Sequence, residues 1–409
     1  MLNVELHADA FSTYKYNLLD KNNSSHTWPN WIEKRAWDAA NLLEQHGKEL
    51  LKLRGTVDLI AGGPPCQGFS INGLRRPDDP RSQMVDVYLK YVEIIQPRLV
   101  LLENVAGFHS MKHRTGGTYS SYVVKKLNDL GYDVWFEILK ASDWGVPQKR
   151  PRFILVAALK GFIPGINPIQ RLHTLREKFL QKRDLDTNFT STKDAISDLE
   201  ESDNNLPLDL NWGHLGFKTL TRKKIAKSKY QELMRRNSDS QPTDMRLPRH
   251  SKNSTQRMQL ILDSCEPGIC LRPADRARLG IKKRSTTPLN SNAPAPTIGT
   301  LPDDFIHYSR PRSMSVREHA RLQSFPDWFT FYGPYTTGGQ RRKDACPKFT
   351  QVGNAVPPLL AEALGEMLLS VLDTSRSNNT VNFSDKANMT RKCSSNIRKI
   401  MDTDFITTF

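Results

Sequence analysis

A short apolar run at residues 57–61 (VDLIA) stops abruptly at Gly62-Gly63-Pro64-Pro65-Cys66-Gln67-Gly68-Phe69-Ser70. The run reads as a buried strand, and two glycines followed by two prolines end it in a tight, rigid turn. Open α/β sheets bind ligands outside the carboxyl ends of their strands. A thiol on such a turn therefore opens on a crevice. A free cysteine is more commonly a small buried hydrophobe. The turn reverses that reading for Cys66, which becomes a candidate nucleophile. Cys265, Cys270, Cys346 and Cys393 lack such a setting and read as structural.

The rest of the first 160 residues supports the same architecture. Runs at 99–102 (LVLL), 134–139 and 153–158 read as further buried strands. Apolar spacing at 84–95 and 119–130 reads as helices, the second closing at Gly131. Strand–helix–strand order with doubly buried strands predicts an α/β fold, a Rossmann-like domain on a mostly parallel sheet. From 162 to 291 the apolar runs shorten and polar residues dominate, which predicts a smaller, irregular second domain. Periodicity returns after Pro311, and 355–372 reads as an apolar helix. The main domain is thus expected at 1–161 and 292–374, the second at 162–291. The Ser-, Asn- and Thr-rich tail at 375–409 is expected to be disordered.

Charge bears on the partner. The formal net charge is +16 over 409 residues, which favours a polyanion, most simply nucleic acid. Basic residues concentrate in the second domain. One cluster is Arg222, Lys223, Lys224, Lys227, Lys229, Arg235 and Arg236, and another spans 272–284. Five cysteines, an odd and scattered set, suit neither a disulfide framework nor a zinc site. No apolar run approaches the roughly 18 residues of a membrane span, and no signal-peptide pattern opens the chain. The expected setting is cytoplasmic and associated with the nucleoid, away from membranes.

Two more strand-end elements accompany Cys66. Glu103 ends the run Leu101-Leu102-Glu103-Asn104-Val105. Arg150 and Arg152, at alternate positions of Gln148-Lys149-Arg150-Pro151-Arg152, point to one face of an extended segment. Thiol, carboxyl and guanidinium thus converge on one sheet edge. These segments, with Arg317-Glu318-His319-Ala320-Arg321-Leu322-Gln323-Ser324-Phe325-Pro326-Asp327 and Gln351-Val352-Gly353-Asn354-Ala355-Val356-Pro357-Pro358, closely resemble the motifs of DNA (cytosine-5) methyltransferases, in that family's order. The resemblance covers the chain from Val4 to about Leu372.

The resemblance implies a methyl donor, S-adenosylmethionine, and double-stranded DNA as substrate, with a restriction endonuclease as functional companion. It implies that Cys66 adds to C6 of cytosine, that Glu103 holds a proton toward N3, and that Arg152 and Arg150 stabilise O2 and the thiolate. The target base must leave the helix, and residues 67–81 fit a loop that closes over it. For the donor, Glu5 in a second strand at Val4-Glu5-Leu6 would bond the ribose, Asp38 would meet the adenine, and Pro65 and Asn354 would complete the pocket. Residues 162–291 stand where the family keeps its target recognition domain. The family also opens with a strand and a Phe-x-Gly-x-Gly loop that has no counterpart in these residues. A misassigned start, a separate chain supplying the piece, and a decayed copy all remain open, and weak donor binding is expected. The rival functions are a non-catalytic DNA-binding remnant and an RNA cytosine-5 methyltransferase.

Overall fold

The computed structural model describes residues 1–20, 27–65, 83–114, 116–199, 206–211, 213–238, 240–336 and 345–380, the last five for backbone alone. Cys66, the 67–81 loop and Cys393 lie outside the described residues. The first elements are α1 (Ala8–Tyr14), continued by a wider turn at Lys15–Asp20, then α2 (Ala39–Leu51), β1 (Leu59–Gly62), α3 (Met84–Ile95), β2 (Leu99–Val105), α4 (Tyr119–Asp129), β3 (Tyr132–Lys140), β4 (Gln148–Lys149) and β5 (Pro151–Leu159). The central segment carries α5 (Pro168–Gln181), α6 (Thr192–Ile196), α7 (Lys229–Arg235), α8 (Lys252–Ser264) and α9 (Pro273–Arg278). The chain then returns through β6 (Thr287–Pro288), β7 (Ala295–Pro296), β8 (Phe305–Ile306), α10 (Val316–Leu322), α11 (Lys348–Asn354) and α12 (Pro358–Thr380).

The main sheet has the order β1-β2-β5-β3. The α/β class expected from the sequence holds, with one strand reversed. β1 pairs parallel with β2, while β5 runs antiparallel to both β2 and β3. The cause is local. Residues 141–150, between β3 and β5, are fewer than the dozen or more a parallel crossover needs, so the chain doubles back. It turns through a short helix at Ala141–Trp144 and Gly145, whose φ of +78° suits glycine.

Strand alternation divides the apolar residues between two layers. Leu99, Leu101, Ile154 and Val156 face α5 and α12, meeting Phe179, Leu360 and Met367. Val100, Leu102, Phe153 and Leu155 face α3 and α4, meeting Val92, Val123 and Leu127. Gly62 ends β1 against the ring of Tyr88, where a Cβ would meet Cε2 at 2.5 Å. The Tyr88 hydroxyl donates to the carbonyl of Leu101 at 2.9 Å. α3 is thereby fixed to both strands beside the Pro64–Pro65 turn.

Four sequence expectations shift. The first strand covers 59–62 rather than 57–61. The last helix starts at Pro358, because α11 ends at Asn354 and Ala355 is extended (φ −61°, ψ 147°). That helix also continues to Thr380, so 375–380 are helical rather than disordered tail. Val4-Glu5-Leu6 is not a strand: residues 1–7 run without sheet partners, held by Trp37 N–H donating to the Glu5 carbonyl at 2.8 Å.

A buried charge cluster joins the central segment to α10. Arg321, fully buried, donates to Asp327 Oδ1 at 2.5 Å and Oδ2 at 2.7 Å, to the Ala195 carbonyl at 2.9 Å and to Asp198 at 3.3 Å. Arg222 reaches Asp327 at 2.7 Å and Arg235 reaches Asp198 at 2.5 Å. Two members of the first basic cluster are therefore internal ties rather than solvent-facing cations. In the second cluster Arg272 pairs with Glu266 at 2.6 Å and Arg278 with Asp275 at 3.2 Å. Arg321, Arg222 and Arg235 share only Asp327 and Asp198, so removing a carboxylate leaves more uncompensated charge than removing a guanidinium. Asp327→Asn should therefore destabilise the fold by about 3–5 kcal/mol, and Arg321→Met by less. Urea denaturation of the two variants checks the order, and the reverse order would refute this account of the cluster.

Candidate active site

Glu103 and Arg152 come from adjacent antiparallel strands, two residues apart in register, since Glu103 lies opposite Ile154 and Val105 opposite Arg152. Alternation sends both side chains to the α12 face of the sheet. There Arg152 Nε meets Glu103 Oε1 at 2.7 Å, with side-chain exposures of 7% and 12%. Burial pushes the Glu103 carboxyl above the usual carboxylate range, and the charges of Arg152 and Arg150 oppose the shift without cancelling it. The geometry is that of an ion pair, yet the site also favours a proton on the carboxyl. Such a group can hold a proton toward a ligand and release it.

Arg150 also acts on Glu103, as the alternate spacing led one to expect. Its guanidinium is tied to the backbone, donating to the Ile298 carbonyl at 2.8 Å and the Gly353 carbonyl at 2.6 Å. Arg150 therefore connects β5 to the end of α11. Asn104, beside Glu103, points to the opposite face. It is buried, and its Nδ2 donates to the Pro64 carbonyl at 3.1 Å. This bond holds the turn preceding Cys66 against the end of β2. The sequence reading assigned Asn104 no role, although an amide at the end of a buried strand is itself a signal of a specific partner.

The residues expected around the donor fall into a second group. Glu5 is partly buried, and its Oε1 accepts from His7 N–H at 2.8 Å. Burial raises its pKa, and the His7 N–H opposes this. Asp38 caps α2, accepting from Asn41 N–H at 2.9 Å. The bond from Trp37 to the Glu5 carbonyl brings the two acids into one neighbourhood. Asn354 is exposed at the end of α11, and Pro65 is exposed three residues beyond β1. α11 spans the two groups of residues. At its start Cys346 N–H donates to Asp9 at 3.0 Å and Gln351 accepts from Thr13 at 2.7 Å, while at its end Gly353 accepts from Arg150. Burial, with the charges of Glu5 and Asp9, pushes the Cys346 thiol up to about 12. Cys346 is thus no thiolate near neutral pH, in keeping with a structural reading.

Comparison with known proteins follows this geometry along the chain. The model of the C-5 cytosine-specific DNA methylase family matches residues 2–370. Type II methyltransferase M.DdeI of Desulfomicrobium norvegicum is 32% identical over 321 residues, 76% of this chain and 72% of its own length. Type II methyltransferase M.XorII of Xanthomonas oryzae is 31% identical over 350 residues, 81% of this chain and 73% of its own. Among solved structures, an E. coli prophage protein described as a DNA modification methyltransferase superposes with a TM-score of 0.60 at 26% identity, covering 90% of this chain and 92% of its own. The match runs from the segment bearing Glu5, through the Glu103–Arg152 pair, to Asn354, and the chain belongs to the C-5 cytosine-specific DNA methylase family.

Proposed function

We propose that the chain methylates C5 of cytosine within a specific double-stranded DNA sequence, using S-adenosylmethionine, as the cytoplasmic modification enzyme of a restriction–modification pair. The observation that carries this reading is the buried Glu103–Arg152 contact at 2.7 Å, set beside the turn that leads into Cys66. Cytosine C5 is a poor nucleophile until a group adds at C6. Cys66, as a thiolate, forms that bond, and the ring electrons shift to C5. Glu103 carries a proton toward N3, so the ring stays near neutral as the adduct forms. Arg152, with Arg150 nearby in the same segment, faces O2 and the sulfur. After C5 is methylated its proton leaves, the C5–C6 double bond re-forms and the thiolate is expelled. A base inside a stacked duplex is out of reach of all these groups, so it must be extruded.

The polar residues near α1 and α11 suit the donor. Two carboxylates, Glu5 and Asp38, match hydroxyl and amino groups, and Pro65 and Asn354, both exposed, would complete the pocket. When bound, the donor supplies an electrophilic methyl group on a sulfonium. Residues 162–291 would supply target recognition.

With S-adenosylmethionine in excess, to offset weak donor binding, Cys66→Ser should lower methyl transfer to unmethylated genomic DNA by several orders of magnitude, as expected on loss of a nucleophile, while leaving duplex affinity within about threefold. DNA carrying 5-fluorocytosine should trap the wild-type protein covalently and not the variant. Turnover at the normal rate by Cys66→Ser would remove the nucleophile assignment.

Glu103 yields a pH prediction. Its folded pKa lies above the unfolded value, so the folded state binds more protons between the two. Its contribution to stability is complete below the ordinary glutamate range and is lost as pH rises through the raised value. Urea melts of the wild type over that window should show stability falling with pH, and Glu103→Gln should flatten the fall. Equal slopes would contradict the raised carboxyl.

The third expectation concerns salt. Lys224, Lys227, Lys282 and Arg284 are exposed and stand outside the ion pairs described above. If they track phosphates, replacing all four with Gln should reduce the slope of log K against log salt by up to roughly 0.9 per contact. An unchanged slope would mean that they touch no phosphate.

A further inference from the structure

Two buried glutamines sit between the base chemistry and the donor side, and neither has been given a role. Gln148 and Gln323 have no exposure. Gln148 Nε2 donates to the Leu322 carbonyl at 3.3 Å and to Gln323 Oε1, and its Oε1 accepts from Ile298 N–H at 2.8 Å. Gln323 Nε2 donates to the carbonyls of Val352 at 3.0 Å and Ala355 at 2.7 Å. These two carbonyls bracket Gly353 and Asn354. Gly353 O in turn accepts from Arg150, two residues before Arg152. A Cβ on Gly353 would overlap the backbone of Gly299, so the 298–300 segment lies directly against the end of α11.

The two amides thus close a ring of hydrogen bonds. It passes from Gln148 to Gln323, on to the carbonyls around Asn354, through Gly353 to Arg150, and back to the strand that carries Arg152. Every bond the glutamines make depends on amide polarity, because each accepts on one atom and donates on the other. A buried polar ring satisfied in this way has one arrangement, and any displacement strands several groups at once.

Building on the proposed chemistry, we infer that Gln148 and Gln323 are positioning residues. They hold the Asn354 turn and the Arg152–Glu103 pair in one fixed relation, so that disturbing either side loosens the other. The coupling is reciprocal, as linkage between two sites requires. The segments joined are far apart in sequence: Gln148 and Gln323 are 175 residues apart, and Arg150 and Gly353 are 203. A common response would therefore not arise from chain neighbourhood.

The test uses the full chain with Gln148→Met and Gln323→Met, which keep volume and remove the amide. Gln323→Glu is added because it sets an acceptor against two carbonyls. Amide deuterium exchange is read in peptides covering 148–153, 351–356 and 360–372. Release of tritium from C5 of cytosine in labelled genomic DNA, without donor, reports thiolate addition at C6, protonation at C5, loss of the tritium and expulsion of the thiolate, with no methyl transfer involved. Each Met variant should speed exchange at least about tenfold in both 148–153 and 351–356, leave 360–372 unchanged, and slow tritium release at least about tenfold. Gln323→Glu should do so more strongly. Loosening confined to the side of the substitution would overturn the inference, as would loss of protection in 360–372, since the amides would then only support the fold. Tritium release at the wild-type rate from loosened variants would overturn it as well. A wild-type protein that releases no tritium would count against the proposed chemistry, and the two-sided exchange pattern would still decide the coupling.

Discussion

The guanidinium of Arg321 has no contact with solvent and is shared between Asp327, Asp198 and the carbonyl of Ala195. Through Arg222 and Arg235 the same two carboxylates also hold the segment before α7 and the last residue of α7. Tyr230, on α7, donates to the Arg321 carbonyl at 2.5 Å. α10 is thereby locked against α6 and α7, and its last turn leads directly into Gln323. A second buried pair steadies the other end of α10. Glu318 completes a capping box with Ser315 and takes both Arg312 nitrogens at 2.8 and 2.9 Å. Burial pushes its carboxyl up, and Arg312 more than offsets this, holding it at about 2.

This part of the interior is polar where the sheet layers are apolar. Arg317, Arg321, Gln148 and Gln323 are all fully buried. Burying charges contributes little net stability compared with a well-packed apolar core, and it penalises every arrangement but one. The apolar layers around β2 and β5 provide the bulk of the cohesion, and the polar seam fixes the register of segments meeting there. A catalytic pocket assembled from strand ends and loops needs that second property, because displacement by an ångström changes which atoms can react.

Much of this was legible in the residues. The 84–95 helix matches its predicted limits, and Glu103, Arg150 and Arg152 come together as strand-end spacing implied. The reversal of β5 left no mark in its apolar pattern, because a strand buried on both faces reads alike in either direction; only the short connection after β3 carried the information. The Asp327 partner of Arg222 lies 105 residues away, so a run of cations read as facing a polyanion could not disclose it. Gln148 and Gln323 lie inside segments that were recognised, but an amide's partners are set by tertiary placement rather than by spacing. Glu5 and Asp38 are adjacent through one backbone bond, a proximity that Val4-Glu5-Leu6 did not deliver by forming a strand.

The layer that covers one face of the sheet has a consequence for how the molecule is made. Leu99, Leu101 and Val156 share their core with Leu360, Leu364, Met367 and Val371 of α12. During synthesis the strands leave the ribosome long before that helix does, with the whole central segment translated in between. Only α5, which follows β5 directly, can cover part of that face before the chain has passed residue 371. Contacts of such high sequence separation are slow to form, and exposed apolar strands in the interval invite association with other chains. The emerging protein thus depends on α12 to complete the fold, and a ribosome that stalls within the central segment leaves that face of the sheet only partly covered.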